Sequence, residues 1–175
     1  MIIKTNVLYE FTKGADKLIE IYEAEKDLVQ VDKYGYDYID CTQLPEKYDS
    51  DTAFIGKMVR DHAPHIKLFE PTKEGLRLDY IQIRKSVPGN TKYKWNEKAW
   101  NKLDIHIPIN KSVGGQYRFS TCTIGSQPGA MLMFNPLEDW WSVDETKNIH
   151  YKLILRFRDL DKELRYTGQN LNDEV

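Results

Sequence analysis

Apolar and polar residues alternate with a period of two through most of this chain, and that period predicts strands. Ile149 to Phe157 alternates most strongly, with Ile149, Tyr151, Leu153, Leu155 and Phe157 predicted on one buried face. Further strands are predicted over Ile2–Phe11, Leu28–Val31, Tyr34–Cys41, His65–Phe69, Leu76–Lys85, Leu103–Ile109, Tyr117–Ile124 and Ala130–Phe134. In Leu76–Lys85 the apolar set passes from Leu76, Leu78 and Tyr80 to Ile81 and Ile83, a slip of phase that a β-bulge produces. Pro108 lacks an amide donor, which predicts an edge strand or a bulge there. Lys17–Tyr22 fits both periods and is read as a strand, paired with the first run across a turn at Lys13-Gly14-Ala15-Asp16.

Two segments take the helical period instead. Asp51–Asp61 spaces Phe54, Ile55, Met58 and Val59 on one face, has Asp49 or Ser50 as caps, and stops before Pro64. Asn96–Lys102 predicts a second, short helix. No βαβ alternation occurs, so the fold class is α+β and strand-dominated: antiparallel sheets forming a sandwich, barrel or bent sheet with one or two short helices. No repeat or linker divides the sequence, which predicts a single domain over 1–175.

Composition narrows this picture only slightly. The chain is 41% hydrophobic and 30% charged, the balance of a globular protein that can bury a core without metal or disulfide. Aromatic residues reach 12%, which suits pleated surfaces and binding faces alike. The first residues, Met1 to Asn6, do not read as a signal peptide, there is no apolar run of the ~18 residues that a membrane helix needs, and Cys41 and Cys122 have no metal or redox spacing. These features predict the cytoplasm, that of a host cell if the gene belongs to a phage or other mobile element, and no membrane partner. The net charge of −2 hides a segregation: residues 52–135 are basic on balance and both flanks acidic.

Signatures of catalysis are missing from the sequence. His62 and His65 flank Ala63-Pro64 and form the sharpest metal candidate, with Asp61, Asp79 or His106 as a third ligand of a hydrolase. His106 and His150 sit on alternating strands, but Pro108 and Lys152 stand where a two-histidine phosphoesterase needs hydroxyls. Asp79, Gln82 and Arg84 have the wrong types for a carboxylate nuclease, and Gly125-Ser126-Gln127-Pro128-Gly129 is a turn rather than a phosphate cradle. No motif calls for a cofactor.

Binding features are more abundant. Opposite the apolar face of the last strand, His150, Lys152, Ile154, Arg156 and Arg158 form a basic ladder in steps of about 6.6–6.8 Å, a spacing able to track phosphates. Trp95 and Trp100 lie among lysines, a mixture that grips single strands by charge and stacking. Trp140 and Trp141 point to opposite sides of the backbone, so one of them is a candidate interface anchor. The reading that follows is a non-catalytic interaction or structural protein that binds a protein partner or itself through an aromatic and charged sheet surface. The alternatives are nucleic-acid binding on the basic strand face and a metal-dependent hydrolase at His62 and His65.

Overall fold

A computed structural model describes residues 2–32, 35–62, 76–89, 101–137 and 141–162 of the chain. Its elements run β1 (Ile2–Val7), α1 (Tyr9–Ala24), β2 (Gln30–Val31), β3 (Asp37–Asp40), α2 (Asp49–His62), β4 (Leu76–Ser86), β5 (Asn101–Pro108), β6 (Tyr117–Phe119), β7 (Thr123–Ile124), β8 (Ala130–Phe134), β9 (Trp141–Val143) and β10 (His150–Asp159). Seven strands form a major sheet in the order β1-β8-β5-β10-β4-β3-β2, and three form a minor sheet in the order β7-β6-β9. Every pairing is antiparallel. The expected strand-dominated α+β class is what the chain adopts, as two facing sheets rather than a closed barrel.

The major sheet is covered on both faces. Ile81, Ile83, Ile105, Ile107, Leu153, Leu155 and Phe157 pack with Phe11, Leu18, Ile55 and Met58 of the two helices into the larger core. On the other face, Leu132 and Phe134 meet Tyr117, Phe119, Trp141 and Val143 of the minor sheet in a smaller, aromatic core. A strand buried on both faces has no solvent side, so polar residues that alternate with its apolar ones must point into the protein. This property organises the candidate site.

Several expectations need correction. Residues 9–24 are helical, not a strand, a turn and a strand, because Phe11, Ala15, Leu18 and Tyr22 recur at helical spacing and are buried on the sheet. Gly14 makes no turn: a Cβ there would meet the Phe54 ring at 2.6 Å, so the missing side chain lets α1 and α2 approach closely. Strand β5 lies between β8 and β10, not at an edge. Pro108 is tolerated there because it lies beyond the β8 pairing, which involves only Asp104 to His106. Ile149 precedes β10 and is exposed. The phase slip in β4 is a bulge: Arg156 pairs with Tyr80 and Phe157 with Leu78, leaving Asp79 unmatched. The helix over residues 51–61 is found as α2, one to two residues longer at each end. The strand expected over 65–69 lies outside the described residues, as do residues 96–100 of the short helix, while Asn101 and Lys102 begin β5.

Two glycines lead into the minor sheet. Gly114 and Gly115 have φ of +82° and +69°, and a Cβ on Gly114 would lie 2.6 Å from the Glu145 carbonyl oxygen. Gly114→Ala is therefore expected to lower stability by about 1–2 kcal/mol from backbone strain alone. Urea denaturation measures it, and an unchanged midpoint would show that the turn relaxes freely. Among the described residues, no helix is long and apolar enough to cross a membrane.

Candidate functional site

The polar residues that alternate with the large core on β4, β5 and β10 converge in the space between the two sheets. Gln82, Arg84 and Ser86 come from β4, Asp104 and His106 from β5, and His150 and Lys152 from β10; all seven are buried. Strand register places them in rows, with Arg84 beside Lys152, Ser86 beside His150, and Asp104 beside Arg156. Tyr117 enters from the minor sheet and is almost wholly buried.

One hydrogen-bonded chain crosses this space. Arg156 holds Asp104 through two parallel bonds of 2.7 Å, from Nε to Oδ1 and from Nη2 to Oδ2. Burial would raise the Asp104 carboxyl, but the Arg156 charge and hydrogen bonds, helped by His106, keep it well below the usual carboxylate range. An ionised carboxylate only accepts, so His106 Nε2 carries its proton toward Asp104 Oδ2 at 3.3 Å. Its Nδ1 then accepts from the Tyr117 hydroxyl at 2.7 Å. Lys152 Nζ donates to the same hydroxyl oxygen at 3.0 Å and lies 4.6 Å from the centre of the tyrosine ring. Burial holds the His106 imidazole neutral, with its pKa lowered to about 4. Lys152 donates to Tyr117, Tyr117 to His106 and His106 to the acceptor Asp104, which Arg156 closes from the far end.

The near end is not closed. No carboxylate among the described residues lies within 4 Å of Lys152 Nζ, which is buried beside the Arg84 guanidinium. Burial first, and the Arg84 charge second, lower the Lys152 pKa to about 7. Arg84 donates to Gln82 at 3.0 Å and stands 3.7 Å from Asp32, with Tyr36 beneath it at 5.6 Å, yet its Nε is buried with no hydrogen-bond partner. His150 is bonded to the Asn110 carbonyl through Nε2 at 3.0 Å, while its buried Nδ1 has no partner. Buried polar groups are rarely left unmatched: Lys152 and the Arg84 Nε–H are donors open to an acceptor, while His150 Nδ1, whose ring gives its one proton to the Asn110 carbonyl, is itself an acceptor open to a donor.

This arrangement rewrites the basic ladder. Lys152 and His150 line the interior, and Arg156 faces inward and is committed to Asp104. Arg158 is partly exposed and stands 3.9 Å from Asp79. A duplex or a single strand has no access to such a row, so the nucleic-acid reading of this face fails. Trp141 is buried in the aromatic core, while Trp95, Trp100 and Trp140 lie outside the described residues. His62 ends α2, 3.9 Å from Glu10 of α1, on the opposite side of the major sheet from His106; His65 lies outside the described residues. The hydrolase reading loses His106 as a ligand, and no three His, Cys, Asp or Glu among the described residues could hold a metal ion. Sequence reading missed Asp104 and Tyr117 as site residues, and took Arg84 only as one of the basic residues of the middle segment. The available signal was opposite charge at Asp104 and Arg156 on two strongly alternating strands, the pattern of a pair across neighbouring strands.

No family model matches the sequence, and no curated protein matches it. Solved structures do. A prolyl hydroxylase from Trichoplax adhaerens, in complex with a hypoxia inducible factor oxygen degradation domain peptide, aligns with a TM-score of 0.69 and 10% identity over 90% of this chain and 83% of that one. A prolyl-4-hydroxylase from Pseudomonas putida gives 0.61 and 15% over 90% and 91%. A viral collagen prolyl hydroxylase from Paramecium Bursaria Chlorella virus-1, in its 2OG complex, gives 0.57 and 12% over 90% and 94%. These are enzymes, and they overturn the expectation of a non-catalytic interaction or structural protein, which rested on missing motifs and not on fold. Iron in such folds calls for two histidines and a carboxylate on one side of an ion. The described residues do not fit. His106 pairs with Ile154, four residues from His150, which separates the two histidines by about 13 Å along the strands. Both nitrogens of His106 and both oxygens of Asp104 are already bonded. The chain thus has the fold of the 2OG-Fe(II) oxygenases and prolyl hydroxylases, with a hydrogen-bonded Lys-Tyr-His-Asp chain between its sheets.

Proposed function

We propose that this protein is an enzyme that binds a small 2-oxo acid, of the chemical class of 2-oxoglutarate, between its two sheets. The observation that carries this reading is Lys152, a buried ammonium group with no acid partner among the described residues, set beside Arg84. A carboxylate there supplies the missing counter-charge, and Arg84 offers it the free Nε–H. The solved complex of a similar fold with 2OG supports the choice of ligand class. Fold likeness supports an enzyme over a passive receptor. A cytoplasmic setting belongs to the same proposal and is supported by Cys41 and Cys122, which are both unpaired.

Titration calorimetry with 2-oxoglutarate tests it. Binding is expected at neutral pH with uptake of protons, because an anion beside Lys152 restores the ammonium form. Lys152→Met and Arg84→Met are each expected to weaken it at least about tenfold, the loss of one charge-assisted hydrogen bond. Absence of binding to the folded wild type, or wild-type affinity in both variants, overturns the reading.

A further inference from the structure

A cavity of about 310 Å³ opens on the helix-covered face of the major sheet, away from the inter-sheet cluster. That volume suits one small molecule. Strand β3 ends with Asp40 opposite Gln82, so Ile81 of β4 lies just past its end and forms the floor. The short turn Cys41–Gln43 bounds one side, and helix α2 bounds the other. On α2, Thr52, Gly56 and Arg60 follow one another at four-residue spacing and share one row, with Ile55 beside them.

The polar groups inside are already committed. Thr52 Oγ1 donates to the Tyr48 carbonyl at 3.1 Å, and Thr42 Oγ1 donates to the Asp40 carboxylate at 2.8 Å. Burial first, and the Asp40 charge second, push the Cys41 thiol up to about 12, so it stays uncharged and packs as a small apolar group. Charge is therefore confined to the two ends of the helix wall, at Asp49 and Arg60, which are both exposed. Eleven residues of helix set them about 16 Å apart along the axis. Neither forms an ion pair among the described residues.

The two charges do not act alike on the space between them. Side chains on a helix lean toward its N-terminus. Arg60 thus leans back over Gly56, which has no side chain to fill the room, whereas the short Asp49 leans away from the cavity. A guanidinium over an apolar floor matches a carboxylate carried on an apolar body, because its planar fork meets both oxygens at once. We propose that this cavity binds a small apolar monocarboxylate, with its body on Ile55 and Ile81 and its carboxylate on Arg60. Asp49 at the far end disfavours a second anionic group, so the ligand class differs from the dicarboxylate proposed for the space between the sheets.

Three molecules with the same eight-carbon chain test the proposal: octanoate, neutral octanol and the diacid suberate. Amide NMR shifts of the full chain are followed during each titration. Octanoate is expected to saturate with a Kd of about 1 mM or tighter, as ordinary affinity per atom gives for a ligand of this size. The shifts should centre on residues 41–42, 49–60 and 81, and suberate should bind roughly threefold more weakly. Arg60→Gln is expected to weaken octanoate about fivefold, the upper range for an exposed ion pair, while octanol binding stays unchanged. Gly56→Leu should block both ligands by filling the cavity; it is scored only if it melts cooperatively, and Arg60→Gln decides otherwise. No saturable binding of octanoate, shifts centred elsewhere, unchanged octanoate affinity in Arg60→Gln, or displacement of octanoate by 2-oxoglutarate overturns the proposal. A failure of 2-oxoglutarate to bind between the sheets leaves all of these outcomes readable.

Discussion

Asp104→Asn is expected to destabilise the protein by about 3–5 kcal/mol, the range for removing one partner of a buried ion pair. The substitution preserves shape and removes the charge that Arg156 meets with two bonds of 2.7 Å. Asparagine satisfies only part of that fork, so the largely enclosed guanidinium stays without its counter-ion. His106 loses the acceptor that fixes its tautomer, and the Tyr117 bond loses its direction. Urea denaturation measures the loss, with a change below about 1 kcal/mol counting against a structural ion pair. The double variant Asp104→Leu with Arg156→Met should recover most of it, since a buried pair exchanged for apolar groups is often neutral. Acid acts on the same groups. Asp104 is held below its unfolded pKa, so the stability it contributes is present at neutral pH and is lost as pH falls through the acid range. His106 and His150, both lowered to about 4, add a loss that begins near pH 6.5, where the unfolded chain takes up protons that the folded one refuses.

Lys152→Met is expected to stabilise the ligand-free protein at pH 6 by roughly 1–4 kcal/mol, as replacement of buried charge by an apolar side chain of similar volume does. This sign separates a functional charge from a structural one. Lys152 titrates near 7 in the folded chain against 10.5 unfolded. Between those values the unfolded state holds the extra proton, so wild-type stability should rise with pH from about 7 to about 10. The variant should lack that rise. Melting temperatures of both proteins across this range check the prediction, and parallel curves would show that Lys152 is not the titrating group. Saturating 2-oxoglutarate should reduce the difference at pH 6, because the carboxylate compensates the charge that methionine removes.

Much of the framework is legible in the sequence, while the site is largely hidden from it. The helix-facing set of β10, Tyr151 to Phe157, follows from alternation alone, and the β4 bulge follows from its phase slip. Alternation does not say where the polar partners go. On a sheet with one solvated face they point to water, and Lys152 and Arg156 then read as a surface ladder. The second sheet turns the same residues inward, and nothing local to β10 announces that sheet, whose strands β6, β7 and β9 are two or three residues long. Helix α1 was hidden for a different reason. Gly14 and the pair Ile19 and Ile21 argue for turn and strand, and only packing against Phe54 explains why the glycine belongs inside a helix.

The strand order has a consequence for how this protein comes into being. β10, the last strand in the chain among the described residues, lies at the middle of the major sheet, between β5 and β4. While a ribosome is still making residues 150–159, β4 and β5 have no neighbour in common, and their hydrogen-bonding edges stay open. The nascent chain therefore gains little from folding early, and its slowest contacts are those of highest sequence separation. The lysine and the carboxylate at the two ends of the buried hydrogen-bonded chain meet only when this final strand slides in, so the chemistry of the interior and the completion of the fold arrive together.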